Sequence, residues 1–161
     1  QIYDEFDDAR LVLTHRNPAK NAASIARLME SWLVPFDKEG SFDKVELGRQ
    51  NTEWWSNVWT RPMAFRKANP ERESQIIDVV YDDLFKDPIA VVKRIYEKYG
   101  LEYTEEFETR MKRYLEENKQ GKYGRHKYSN EEYGIDAEDL ATRFSEYFEA
   151  YGFDAKPKAT D

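Results

Sequence analysis

Arg16 closes an apolar run, Asn17-Pro18 follows it, and Ser24 comes eight residues after the arginine, in LVLTHRNPAKNAAS (11–24). An arginine delivered by a strand to the start of a helix, with a hydroxyl two turns along that helix, can hold a phosphate. The guanidinium supplies a planar fork of donors, and the helix start adds a favourable dipole. Asn17 reads as the N-cap and Pro18 as the first helical residue. Ser24 lies seven residues beyond Asn17, close to two turns, so both fall on one face. An anion gripped by Arg16 and Ser24 would lie along the flank of the helix near its start. The same residues would also suit a surface arginine and a small packing serine.

Charge distribution favours the anion. The chain has 161 residues with 25 Lys and Arg against 32 Asp and Glu, a net charge of −7. Yet no acid occurs from Ala9 to Met29, a stretch that holds Arg10, Arg16, Lys20 and Arg27. A second acid-free stretch, Asn118 to Asn130, holds Lys119, Lys122, Arg125 and Lys127. Two basic islands in an acidic chain suggest a local anion site rather than a polyanion surface, and argue against nucleic acid as partner.

Other chemistries are poorly supplied. There are no cysteines and only two histidines, His15 and His126, far apart in sequence, which disfavours thiolate chemistry and a histidine-rich metal site. No run reaches transmembrane length, and the expected location is cytoplasmic. The chain begins at Gln1 rather than Met, so an absent leader says nothing.

The elements that must position these residues follow from periodicity. RLVLTH (10–15) and IIDVVY (76–81) read as short buried strands. Ala22, Ile25, Ala26, Met29, Trp32 and Leu33 make a helical stripe ending near Pro35. Residues 37–43 read as a loop, and 45–68 as a helix with a kink or break at Pro62. Asp87-Pro88 opens a helix stopped by Gly100, and Thr104 caps the next. Residues 119–134 form a glycine-containing loop. One last helix runs from after Asp136 to Gly152, leaving 154–161 as a tail after a domain of 1–153. Two short strands cannot make a stable, doubly covered parallel sheet alone, so the rest of the sheet is expected from elsewhere.

These segments together resemble the sulfotransferases that use 3′-phosphoadenosine 5′-phosphosulfate (PAPS). Arg16 with Ser24 resembles their 3′-phosphate element. VVYDDLFKDPIAVVKRIYEKYGL (79–101) is similar to a strand, tyrosine and helix of that family, in which the tyrosine, here Tyr81, lies near the adenine. KQGKYGRH (119–126) resembles the late basic-glycine loop, which puts Lys119, Gln120 and Gly121 on the 3′-phosphate and Gly124 on the second glycine. The GRHKYS form looks like the bacterial and carbohydrate-type branch. Where the cytosolic phenol and steroid branch has two adjacent basic residues, this chain has Lys119 then Gln120.

The resemblance implies an α/β fold: the C-terminal half of a P-loop NTPase-like, three-layer parallel-sheet sulfotransferase, mostly helical here with two short strands. It implies sulfuryl transfer from PAPS to a hydroxyl or amine acceptor, with 3′,5′-phosphoadenosine leaving. The family's lysine loop for the 5′-phosphosulfate and its usual base have no counterpart in this sequence. No residue therefore receives a catalytic role, and a missing N-terminal half or a partner chain would complete the sheet; the chain alone is expected to be incomplete and inactive. The alternative is a non-catalytic interaction module or swapped fragment derived from the same family. A nucleotide kinase lacks its GxxxxGK[ST] loop here.

Several residues admit plainer roles. Tyr81 reads as a core residue with a wet hydroxyl or as the adenine contact. Trp54, Trp55 and Trp59 read as one core-facing helical stripe, or as part of an acceptor pocket. His126 reads as a loop anchor or phosphate neighbour, and His15 as a satisfied core histidine.

Overall fold

The computed structural model describes residues 2–38, 40–118 and 129–154. In chain order the elements are α1 (Ile2–Glu5), β1 (Leu11–His15), α2 (Pro18–Leu33), α3 (Lys44–Ala68), β2 (Ile76–Val80), α4 (Tyr81–Lys86), α5 (Pro88–Lys98), α6 (Glu105–Glu117), α7 (Ala137–Arg143) and α8 (Ser145–Tyr151). Short 3-10 turns occupy Val34–Phe36, Pro70–Gln75 and Glu131–Tyr133. The described residues fall into two compact units, the first within Gln1–His15 and Asn69–His126, the second within Arg16–Ala68 and Lys127–Asp161. No helix among the described residues is long and apolar enough to cross a membrane.

The first unit is built on β1 and β2, which pair in parallel with Leu11 opposite Ile76 and His15 opposite Val80. Parallel neighbours need a long crossover, and here the chain between them forms α2 and α3. β2 is the better covered strand, with Ile76 and Val79 buried under α5, whose Val91 is also buried. β1 departs from the buried strand expected: Val12 is 42% exposed, Thr14 is exposed, and only His15 is buried. Its alternation is that of a strand covered on one face.

Polar groups fix the strand starts. The Tyr99 hydroxyl lies 2.6 Å from the Leu11 carbonyl and 3.0 Å from that of Gln75, and Arg10 donates to the Tyr99 carbonyl at 3.0 Å. The expected caps are present. Asp87 accepts from the Ala90 amide at 2.9 Å, and Thr104 from the Phe107 amide at 3.1 Å. Tyr96, Tyr103 and Phe107 then pack α5 and α6 through their rings.

The second unit is all helical. Its core comprises Ala23 and Ala26 of α2, Leu47 of α3, Tyr133, Ile135, and Leu140, Phe144, Tyr147 and Phe148. Small residues on α2 let neighbours approach, and Gly48 of α3 meets the backbone at Tyr133 so closely that a Cβ there would lie 2.0 Å from the Tyr133 carbonyl oxygen.

Three further expectations are corrected. The break allowed for at Pro62 does not occur, since α3 runs through it as one helix; the ring removes only one amide donor. The last helix is two, α7 and α8, parted at Phe144 (φ −107°, ψ 17°). Phe144 is 2% exposed and its ring lies 5.4 Å from Trp59, so burial sets the break where no glycine or proline signals one. Trp54 does not share the face of Trp55 and Trp59, whose rings lie 5.8 Å apart. Successive helical residues are about 100° apart: Trp59 packs on Phe144 and Tyr147, whereas Trp54 is 58% exposed.

Candidate functional site

The second unit carries the Arg16–Ser24 pair. Asn17 caps α2 as the sequence indicates: its side-chain oxygen accepts from the Ala19 amide at 2.9 Å. Its carbonyl accepts from the Lys20 and Asn21 amides, each at 3.1 Å. With Pro18 lacking an amide, the first donors of the helix are already committed to Asn17. An anion here would therefore be met by side chains along the flank, aided by the dipole, rather than end-on by bare amides. Asn17 is itself held, 5% exposed, by donating its amide to the Asp154 carbonyl at 2.7 Å.

Arg16 and Ser24 are both partly buried. The guanidinium turns back along α2 and donates through Nη1 to the Asn21 side-chain oxygen at 3.0 Å. Asn21 lies three residues before Ser24, one turn along the same face, so the helix itself sets arginine, amide and hydroxyl on one flank. Sequence reasoning did not single out Asn21. The available signal was its spacing, five residues after Arg16 and three before Ser24.

The acid-free run ends at Glu30, and that carboxylate is committed elsewhere. It is 7% exposed, receives the Tyr133 hydroxyl at 2.5 Å, and pairs with Arg27 at 2.8 Å and Lys44 at 3.1 Å. Burial pushes its pKa up, but the hydrogen bonds from Tyr133, Arg27 and Lys44 prevail and hold it at about 2. Asn130 donates to the Ala19 carbonyl at 3.0 Å, attaching the chain that precedes Tyr133 to the first turn of α2.

In the first unit, His15 is the satisfied core histidine expected: Nε2 lies 2.8 Å from Asp78 Oδ1, with His15 5% exposed. Tyr81 opens α4 rather than ending β2. It is partly buried, with its ring edge-on to Phe85 at 4.7 Å between centroids. Lys119, Gln120, Gly121, Gly124 and His126 lie outside the described residues. No group of acids and histidines able to hold a metal occurs among the described residues.

Comparison with known proteins bears on family and fold. The model of the sulfotransferase family matches residues 1–105, a span holding Arg16, Ser24 and Tyr81. Among solved structures, sulfotransferase STF9 from Mycobacterium avium is similar at 28% identity with a TM-score of 0.83, covering 95% of this chain and 38% of that one. Sulfotransferase STF1 from Mycobacterium tuberculosis H37Rv is similar at 27% identity with a TM-score of 0.68, covering 90% of this chain and 35% of that one. Comparison with curated proteins gave no match. The chain thus spans under two-fifths of the length of these relatives, and its mostly helical architecture with a two-strand parallel sheet matches their α/β, P-loop-like fold. A family match across most of the chain and two structural matches agree: this chain belongs to the sulfotransferase family.

Proposed function

We propose that the chain supplies the 3′-phosphate- and adenine-binding half of a sulfotransferase that moves a sulfuryl group from PAPS to a hydroxyl or amine acceptor. Arg16 and Ser24 hold the 3′-phosphate, Lys119, Gln120 and Gly121 complete its contacts, and Tyr81 faces the base. These are binding roles. Departure of the anionic nucleotide from the sulfuryl group needs fixed positive charge and oriented donors, and a nucleotide anchored at its far phosphate presents the sulfuryl group at a defined place.

One observation carries the reading: the span that matches the family, residues 1–105, holds an arginine turned onto the flank of α2 on which Ser24 lies. The test is calorimetric titration of the full-length protein with 3′,5′-phosphoadenosine and with 5′-adenosine monophosphate. Arg16→Ala should weaken the first ligand by roughly tenfold or more, since a charge-assisted bond contributes about 1.5–3 kcal/mol, and leave the second almost unchanged. Equal losses would make Arg16 structural.

Among the described residues the sheet has only β1 and β2, so each has an edge without a strand neighbour, which favours an alternative, a non-catalytic module whose sheet is completed by strands of another chain. Turnover of PAPS with an acceptor by the full-length protein separates the two, because a module gives none.

A further inference from the structure

We propose that Asn21 is the positioning residue of the 3′-phosphate site and sets Arg16 in place before the anion arrives; the inference rests on the reading of Arg16 and Ser24 given above. An arginine side chain has many rotamers, and ordering it at the moment of binding weakens the complex. Here the guanidinium already donates Nη1 to the Asn21 side-chain oxygen at 3.0 Å. Asn21 is well placed to impose an orientation, because its own backbone amide is bonded to the Asn17 carbonyl at 3.1 Å in the capped first turn of α2. The residue type matters as much as the place. A carboxylate at this position would orient the arginine equally well but would cancel its charge and repel a phosphate. An amide orients the fork without adding a negative charge of its own. That choice agrees with the absence of any acid from Ala9 to Met29, and Asn21 lies one turn before Ser24 on the flank the anion would occupy.

The experiment is titration of the full-length protein and its variants with 3′,5′-phosphoadenosine and with 5′-adenosine monophosphate, alongside thermal unfolding. Asn21→Ala should weaken 3′,5′-phosphoadenosine by about three- to tenfold, leave 5′-adenosine monophosphate unchanged and leave the unfolding temperature near that of the wild type. Asn21→Asp, which keeps the acceptor but adds charge, should weaken the bisphosphate further. The Arg16→Ala/Asn21→Ala double variant should bind no more weakly than Arg16→Ala alone, the signature of a residue that acts through the arginine. Undiminished bisphosphate binding by Asn21→Ala overturns the inference, as does a double variant whose losses multiply. If instead Arg16→Ala fails to distinguish the two nucleotides, it is the reading of the phosphate site that falls.

Discussion

The Tyr133 hydroxyl donates to Glu30 Oε2 at 2.5 Å across 103 residues of sequence. Lys44 reaches both Glu30 Oε1, at 3.1 Å, and Glu132 Oε1, at 2.5 Å. One buried carboxylate therefore gathers α2, α3 and the turn at Glu131–Tyr133 of the second unit. Removing one partner of such a pair leaves the other with unmet desolvation.

The charge on Glu30 makes this network sensitive to acid. The folded-state pKa is lowered from 4.5 to about 2, so the stabilisation is fully present above the unfolded value and is lost as the pH falls through the folded one. Glu30→Gln should destabilise the protein by about 1–3 kcal/mol at neutral pH. Its deficit relative to wild type should shrink between about pH 5 and pH 3. Urea unfolding across that range checks the sign; a deficit that grows on acidification contradicts it.

Gly48 offers a prediction independent of charge. A methyl group there would meet the Tyr133 carbonyl oxygen at 2.0 Å, a contact with backbone that no side-chain rotation relieves. Overpacking of this kind costs about 1–3 kcal/mol or more, although alanine is otherwise the better helix former by about 1 kcal/mol. Gly48→Ala should therefore lower the unfolding temperature. Stabilisation would mean that α3 and the Tyr133 turn separate easily.

Much of this was legible in the sequence because it is encoded locally. The caps at Asn17, Asp87 and Thr104 depend on residues two or three positions apart, and the strand pair on short apolar runs bounded by turns. The unread parts depend on contacts between distant segments. Nothing within α3 marks Gly48 as the meeting point with Tyr133, and nothing near Phe144 announces a break that Trp59 helps to create. Arg16 and Ser24 were visible as a spacing, whereas the orientation of Arg16 by Asn21 emerges only once the helix places that amide beside the guanidinium. Glu30, an acid on a helix otherwise reading as apolar and basic, gave no sign that its partners would be Tyr133 and Lys44.

Ser24 should behave as a donor to the 3′-phosphate rather than as a packing residue. Ser24→Ala keeps the small volume on α2 and removes one hydroxyl. It should weaken 3′,5′-phosphoadenosine by roughly three- to tenfold with no change for 5′-adenosine monophosphate. Ser24→Asp, which puts a carboxylate against the phosphate, should abolish the preference for the bisphosphate. Calorimetry with both nucleotides reads the two effects, and an unaltered preference in the aspartate variant would remove Ser24 from the site.

Tyr81 yields the opposite pattern, because a contact with the base is blind to the 3′-phosphate. Its ring opens α4 and lies edge-on to Phe85, 4.7 Å away, so Phe85 braces one side of the ring. Base–aromatic contact contributes about 1–3 kcal/mol and depends on the ring, not the hydroxyl. Tyr81→Phe should then bind both nucleotides within about twofold of wild type. Tyr81→Ala should weaken 3′,5′-phosphoadenosine and 5′-adenosine monophosphate alike, by about tenfold. Phe85→Ala, which removes the brace, should produce a smaller loss that is again equal for the two. A structural tyrosine behaves differently: Tyr81→Ala would lower the unfolding temperature through the lost Phe85 contact while the remaining folded protein bound both ligands normally. Titration of the three variants, each with its unfolding curve, decides between an adenine contact and a ring that only packs α4.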